Sequence, residues 1–176
     1  MYGEETFDNK EDFIRSLMDT FGEEIKRLIF SYLREWQQTE DLTQEVFISV
    51  YLKIDTFKGD SNIKTWVYKI AVNKAKDYLR SWHFKKTIVS NNLFPIKQSN
   101  CLEEEILMKE RSNDISKEVF KLPIKYREMI MLYYYKDFSI NEIAAITSIN
   151  SSTIRTRLAR GRKILERKLG GIFDEE

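Results

Sequence analysis

Apolar residues recur at helical spacing along most of this chain. The spacing runs from about Phe7 to Trp82, breaks in the stretch FKKTIVSNNLFPIKQSN, and resumes from CLEEEILMKE to RKLGG. The break contains Ser, Asn, Gln and a proline without a steady period, which is typical of a linker. Only six glycines and two prolines occur in 176 residues, which disfavours a turn-rich sheet architecture. The sequence therefore predicts an all-α protein of two small helical domains joined by a flexible linker.

The composition also narrows the classes of function. With a single cysteine, Cys101, and a single histidine, His83, an internal disulfide is excluded and a zinc cluster or a redox site is not expected. No nucleophile motif lies near His83, so we expect neither a catalytic site nor a cofactor. The apolar run MIMLYYY is too short to span a bilayer, and the acidic first residues do not resemble a signal peptide, so we expect a cytoplasmic protein.

Two capped amphipathic segments follow each other near the end of the chain. Ser139 and Glu142 have the spacing of a capping box, the polar residues 148-150 suit a short turn, and Ser151 or Ser152 can cap a second helix. The formal net charge is +1, yet residues 155-168 hold seven basic groups against one acidic group. This pattern predicts a helix-turn-helix with arginines on its recognition helix.

The second helix of this motif has two distinct faces. Its apolar side carries Ile154, Leu158, Gly161 and Leu165. Its opposite side carries Arg155, Thr156, Ala159, Arg160, Lys163 and Arg167. Guanidinium forks among small side chains suit the major groove of duplex DNA. The alternative is a solvated amphipathic helix that closes a bundle, but the two capped helices and the short turn together favour DNA recognition.

The segment FKGDSNIKTWVYKIAVNKAKDYLRSW predicts a glycine-containing loop and a helix capped by Ser61. One side of that helix suits a core and carries Val67, Ala71, Ala75, Tyr78 and Trp82. The other side combines an aromatic ring with polar and charged groups, as needed to bind unpaired bases. It carries Trp66, Lys69, Asn73, Asp77 and Arg80. The alternative, in which Trp66 is a core residue, stays open.

An acidic helix is predicted in the segment TEDLTQEVFISVYLKI. Its inner face carries Leu42, Val46 and Val50, and its outer face carries Asp41, Gln44, Glu45 and Ile48. Glu40 and Asp41 also suit a helix N-terminus, where acidic groups stabilise the helix dipole. The spacing leaves two interpretations open, a solvated acidic face and a protein-docking surface.

In this order, these blocks resemble the extracytoplasmic-function (ECF) sigma factors, a group of the sigma-70 family of bacterial RNA polymerase. TEDLTQEVFISVY resembles the helix that binds core polymerase, and FKGDSNIKTWVYKIAVNKAKDYLR resembles the segment that melts and recognises the -10 promoter element. LPIKYREMIMLYYYKDFSINEIAAITSINSSTIRTRLARGRKIL resembles the domain that binds the -35 element. The resemblance implies region 2 at 1-84, a linker at 85-105 and region 4 at 106-176.

The resemblance also implies roles for individual residues. The positions that it places at core polymerase are Asp41, Leu42, Gln44, Glu45, Phe47 and Ile48. The positions that it places at the opened -10 strand are Lys58, Asn62, Lys64, Trp66, Lys69, Asn73, Asp77 and Arg80. The positions that it places at the -35 duplex are Ser152, Thr153, Arg155, Thr156, Arg157, Ala159, Arg160 and Lys163. Ser152 and Gly161 depart from the glycine and alanine that are common in the family.

The function implied is promoter-specific transcription initiation in a stress or envelope response, without covalent chemistry. The implied partners are core RNA polymerase, promoter DNA and a membrane-bound anti-sigma factor, with no small-molecule substrate. A different class of function, a free-standing helix-turn-helix regulator, predicts tight binding of a palindromic operator by the protein alone. A purely protein-binding adaptor is a further alternative, and Arg160→Glu would then leave promoter use unchanged.

Overall fold

The computed structural model describes residues 10-89 and 114-169, and for 82-89 and Asp114 it describes the backbone alone. Within these ranges every regular element is helical, which confirms the all-α prediction. Helices α1 (Lys10–Leu33), α2 (Trp36–Lys53) and α3 (Ile63–Val89) form the first domain. Helices α4 (Asp114–Lys121), α5 (Ile124–Ile130), α6 (Ile140–Thr147) and α7 (Ser151–Leu169) form the second.

The first domain is a three-helix unit in which each helix buries one apolar stripe against the other two. The buried positions repeat at steps of three or four residues, as an α-helix with one core-facing side requires. They include Ile25, Leu28, Ile29, Leu42, Val46, Val50, Val67, Ala71 and Ala75. The inner faces predicted for α2 and for the first half of α3 are therefore correct.

Helix α2 begins earlier than the sequence indicated. Glu35 is its N-cap, and the Glu35 carboxylate accepts hydrogen bonds from the backbone N–H groups of Gln37 and Gln38 at 3.1 and 2.7 Å. Glu40 and Asp41 therefore lie in the second turn rather than at the helix N-terminus. Their position does not favour the interpretation that they stabilise the helix dipole, because that effect is confined to the first turn.

Helix α3 is preceded by a short 3-10 turn, Ile54–Thr56, and by a loop in which Gly59 has φ +75°, a conformation that favours glycine. The cap is Asn62 rather than the predicted Ser61, because the Asn62 side-chain oxygen accepts a hydrogen bond from the Lys64 backbone N–H at 2.9 Å. The helix continues to Val89, five residues into the predicted linker. The rest of that linker, 90-105, lies outside the described residues.

The second domain contains the predicted helix-turn-helix. The Ser139 hydroxyl accepts from the Glu142 backbone N–H at 3.3 Å, and the Glu142 carboxylate accepts from the Ser139 backbone N–H at 2.9 Å, which confirms the capping box. Helix α6 ends at Thr147, and its C-cap residue, Ser148, has the left-handed conformation. Asn150, rather than Ser151 or Ser152, caps α7, because its side-chain oxygen accepts from the Thr153 backbone N–H at 2.8 Å.

Helix α5 continues through a π-helical turn, Met131–Tyr135, and packs across α7. Gly161 lies at this crossing and is buried. A β-carbon at Gly161 would stand 3.2 Å from Ile130 Cγ1, closer than ordinary van der Waals contact. The glycine thus lowers the intrinsic helix stability of α7 by about 1 kcal/mol relative to alanine, and it permits the close approach of α5.

The two domains are in contact. Helix α3 packs against α6, and α1 packs against α5. The Tyr68 and Phe138 rings meet across the boundary with their centroids 4.7 Å apart, and the Phe30 and Phe120 rings lie 6.0 Å apart. The sequence predicted two tethered domains but did not predict this contact.

Candidate nucleic-acid and protein interfaces

The outward face of α7 has the composition that the sequence predicted. Ile154, Leu158 and Leu165 are buried, and Gly161 completes the inner side. The opposite side is exposed at Arg155, Thr156, Ala159, Arg160, Lys163 and Arg167. The second domain therefore holds a basic helix by one face and leaves the other accessible to solvent, which is the arrangement that entry into a major groove requires.

The first turn of α7 is held by side-chain hydrogen bonds. Ser152 Oγ donates to the Asn150 side-chain oxygen at 2.8 Å, and Thr156 Oγ1 donates to the Ser152 carbonyl at 2.9 Å. Ser152 is exposed, whereas Thr153 and Arg157 are half-buried and lie at the flanks of the outward face. Small hydroxyl side chains at this end leave the backbone N–H groups of the helix N-terminus close to the surface, where they suit a phosphate.

Arg160 has a neighbour that the sequence did not indicate. The Arg160 guanidinium lies beside the Tyr126 hydroxyl on α5 and, more than any other group, lowers the pKa of that tyrosine. Lys125 Nζ lies 5.0 Å from the centroid of the same ring. The basic surface thus extends from α7 onto the start of α5. No sequence pattern pointed to Tyr126, because the contact depends on how α5 crosses α7.

On α3, one helical stripe is open to solvent along most of its length. Lys69, Asn73 and Asp77 are exposed at steps of four residues, and Arg80 forms an exposed ion pair with Asp77. Trp66 begins this stripe but is half-buried, with its ring centroid 5.3 Å from that of Phe57. The ring therefore packs partly on the core and stays partly accessible, and its role in binding unpaired bases stays a prediction.

The remaining residues predicted for the -10 strand divide into two groups. Lys58 and Asn62 are exposed in the loop and the cap before α3. Lys64 is half-buried at the domain boundary, where its Nζ donates to the Lys136 carbonyl at 3.3 Å. The same Nζ lies 5.1 Å from the centroid of the Phe138 ring. Lys64 is therefore engaged by the second domain.

The outer face of α2 is partly acidic and partly apolar. Asp41, Gln44, Glu45 and Ile48 are exposed, as predicted. Leu42 and Phe47, also predicted to bind polymerase, are 5% and 4% exposed and belong to the core. The next turn adds Tyr51 and Leu52, with Leu52 68% exposed. Exposed apolar groups beside acidic ones are typical of a protein-docking surface, and the sequence analysis missed Tyr51 and Leu52.

Two structural features bear on other classes of function. Among the residues that the structure describes, no group of three or more His, Cys, Asp or Glu side chains is placed to hold a metal ion. A helix long and apolar enough to cross a membrane is likewise not found in 10-89 or 114-169. His83 and Cys101 lie where no side chain is described.

Comparison with known proteins agrees with this architecture. The family model for Sigma-70 region 2 matches residues 17–83, and the model for Sigma-70 region 4 matches residues 114–165. The ECF RNA polymerase sigma factor SigW of Bacillus subtilis is 31% identical over 175 residues, covering 90% of each chain. RNA polymerase sigma factor SigV of the same organism is 30% identical, covering 92% of this chain and 87% of SigV.

Two solved structures share the fold. The sigma factor RpoE from Bartonella quintana, in complex with the anti-sigma factor NepR, covers 90% of this chain and 97% of its own with a TM-score of 0.68 at 22% identity. CnrH, in complex with the cytosolic domain of CnrY, covers 90% and 88% with a TM-score of 0.65 at 19% identity. The matches to both regions and the near full-length relatives lead to one conclusion: this chain belongs to the ECF group of the sigma-70 family of sigma factors.

Proposed function

We propose that this protein binds core RNA polymerase and directs it to promoters by recognising -10 and -35 elements. The observation that carries the proposal is the presence, in one chain related to ECF sigma factors, of two exposed surfaces with different chemistry. One is a basic helix suited to duplex DNA, and the other combines an aromatic ring with amide and charged groups suited to unpaired bases. Region 2 occupies 1-84 and region 4 occupies 106-176 in this proposal.

In the second domain, α7 contacts the -35 duplex. Arg155 and Arg160 are exposed on the outward face and present planar donors to guanine edges or phosphates. Thr156 and Ala159 are small enough to let the helix approach the bases. The further contacts are Ser152, Thr153, Arg157 and Lys163.

In the first domain, the open stripe of α3 receives the non-template strand of the -10 element. The partly accessible ring of Trp66 stacks on a base, Asn73 hydrogen-bonds a base edge, and Lys69 attracts the backbone. Unstacking a base costs a few kcal/mol, which stacking and phosphate contacts offset. Lys58, Asn62, Lys64, Asp77 and Arg80 complete this surface.

The outer face of α2 binds core polymerase through Asp41, Gln44, Glu45 and Ile48, with Leu52 extending the contact. Leu42 and Phe47 support the face from the core rather than touching the partner.

By analogy with the complexes of RpoE with NepR and of CnrH with CnrY, an anti-sigma factor restrains this protein. Sigma factors are not enzymes, and we propose a cytoplasmic initiation subunit without catalytic residues or cofactors.

The decisive experiment is run-off transcription with purified core RNA polymerase on a promoter library, with and without this protein. We expect discrete start sites that depend on the protein and share two conserved elements upstream. If no template gains a start site, the proposal is wrong. The free-standing regulator predicts instead that the protein alone binds a palindromic duplex tightly, and the family assignment disfavours it.

A further inference from the structure

We propose that the free protein is held closed by a polar latch between its domains, and that this closure withholds Lys64 from promoter DNA. The latch consists of Glu128 on α5, Tyr32 on α1 and Lys76 on α3. The inference rests on the proposed function, because it assigns a regulatory state to the same -10 surface. It concerns a contact within the chain and requires no other protein.

Glu128 is the centre of the latch. Glu128 is only 4% exposed and is buried beside Met129 and Ile130 of the same helix. Glu128 Oε1 accepts a hydrogen bond from the Tyr32 hydroxyl at 2.6 Å and forms an ion pair with Lys76 Nζ at 2.7 Å. Both partners belong to the first domain. Burial and then the Glu128 charge raise the pKa of Tyr32, so the hydroxyl stays a donor at neutral pH.

A second set of contacts lies at Lys136, which is buried in the second domain at the same boundary. Lys136 Nζ is 3.8 Å from the Glu24 carboxylate, which also accepts a hydrogen bond from the Tyr68 hydroxyl. The Lys136 carbonyl accepts from Lys64 Nζ at 3.3 Å. One of the cations proposed to contact the -10 strand therefore donates to the second domain while the chain is closed.

The chemistry of this boundary suits a contact that opens. A buried ion pair loses hydration energy that nearly offsets its attraction, so separation into water is not prohibitive. Arg127, next to Glu128, is also buried, and its Nε has no hydrogen-bond partner. Burial, followed by repulsion from Arg34, lowers the pKa of Arg127 to about 10. The closed state thus carries desolvation costs that opening relieves.

The closed arrangement also conflicts with simultaneous recognition of both promoter elements. Elements centred near -10 and -35 are about 25 base pairs apart, which is about 85 Å of duplex at 3.4 Å per base pair. A compact chain of this size has a diameter of roughly 40 Å. The two DNA-binding faces must therefore separate when both elements are bound, and Lys64 becomes available in the same movement.

A charge swap tests the latch directly. We would compare the full-length protein with Lys76→Glu, with Glu128→Lys and with the double variant, using small-angle X-ray scattering and acetylation of Lys64 measured by mass spectrometry. Each single variant places like charges together, so we expect a larger radius of gyration and about tenfold faster Lys64 acetylation. The double variant restores opposite charges and should return both measurements toward those of the wild type.

Glu118→Gln is the matched control. Glu118 pairs with Lys121 and Lys168 at 2.5 and 3.3 Å within the second domain, so its loss should change neither measurement. Tyr32→Phe removes one latch hydrogen bond without changing charge, and it should raise Lys64 acetylation even if a charge-reversed variant fails to fold. Unchanged compactness and Lys64 reactivity in Tyr32→Phe and in the folded single variants would overturn the latch.

Run-off transcription separates the latch from the proposed function. At saturating core polymerase the domains are already apart, so Lys76→Glu should initiate within about twofold of the wild type. If the wild type initiates and the folded variants stay compact, the latch alone is wrong. If the wild type does not initiate from any promoter, the proposed function is wrong whatever the scattering shows.

Discussion

The two helices that carry the proposed DNA contacts, α3 and α7, are built alike but differ in what surrounds them. Each is capped by an asparagine, Asn62 or Asn150, and each buries one largely apolar stripe. The substantial contacts of helix α7 all lie within its own domain. Helix α3 packs against α1 and α2 on one side and against α6 of the second domain on another. The first domain therefore leaves the outward face of α7 uncovered, whereas the start of α3 is shared with the second domain.

This difference explains why the two faces do not have the same availability. The exposed face of α7 can meet a duplex with no change in the fold of the second domain. Part of the α3 surface, at Lys64, is occupied by the second domain until the domains move apart. Helix α3 therefore uses one side for the core of its domain, a second for contact with α6 and a third for the proposed contact with DNA.

The largest expected effect is on transcription, and it concerns the outward face of α7. Arg160→Glu replaces an exposed donor on α7 with a repulsive charge, so run-off product from a promoter with a -35 element should fall about 100-fold. The fold should be unaffected because the side chain is exposed. The measurement is run-off transcription at fixed core polymerase, with circular dichroism to confirm folding.

Arg162→Glu is the control for this prediction. It makes the same change of charge on the same helix, at an exposed position outside the proposed DNA contacts. We expect a much smaller loss of run-off product. Equal losses from the two variants would show that net charge, and not the outward face of α7, determines promoter use.

A smaller effect compares the packing around one helical glycine in each domain. Gly161→Ala adds a methyl group 3.2 Å from the buried Ile130 side chain. Overpacking costs about 1 to 3 kcal/mol, which exceeds the roughly 1 kcal/mol gained in helix propensity. We therefore expect the free energy of unfolding of the second domain to fall by about 1 kcal/mol, as measured by urea denaturation.

Gly22→Ala is the matched substitution in α1 of the first domain. A β-carbon at Gly22 would meet nothing within 4 Å, so alanine should stabilise the helix by about 0.5 to 1 kcal/mol. The two glycines should thus respond with opposite signs. A stabilising Gly161→Ala would mean that α5 yields at its crossing with α7.

An effect of similar size, which shrinks in acid, compares two caps. Ser139→Ala removes the acceptor for the Glu142 backbone N–H and the donor to the Glu142 carboxylate, and should cost about 1 kcal/mol at pH 7. The Ser139 hydroxyl, followed by its backbone N–H, lowers the pKa of Glu142 below 4.5. That stabilisation is present above pH 4.5 and is lost as the pH falls through the folded-state pKa.

The cost of Ser139→Ala should therefore shrink in acid, as measured by urea denaturation at pH 7 and below pH 4. Asn62→Ala provides the comparison, because the cap of α3 uses a neutral amide that does not titrate in this range. Its cost should be the same at both values of pH. A pH-independent cost for Ser139→Ala would show that the Glu142 carboxylate adds nothing to the capping box.

Local chemistry by itself determined the helix-turn-helix and its exposed basic face. The capping box at Ser139 and the stripe from Ile154 to Leu165 depend on residues a few positions apart, so periodicity and capping rules were sufficient. The two domains and the inner faces of α2 and α3 followed for the same reason. The exact caps did not follow. Ser61 and Asn62 are neighbouring candidates at the start of α3, as Asn150, Ser151 and Ser152 are at the start of α7, and the sequence does not rank them.

Only the tertiary structure decided which side chains remain accessible. Phe47 lies in the core and Leu52 is exposed, although both are apolar residues of one helix, because the positions of α1 and α3 fix which side of α2 is covered. The hydrogen bond from Tyr32 to Glu128 and the hydrogen bond from Lys64 to the Lys136 carbonyl join residues far apart in the sequence. Such contacts depend on how the domains pack, and periodicity within one helix carries no information about that packing.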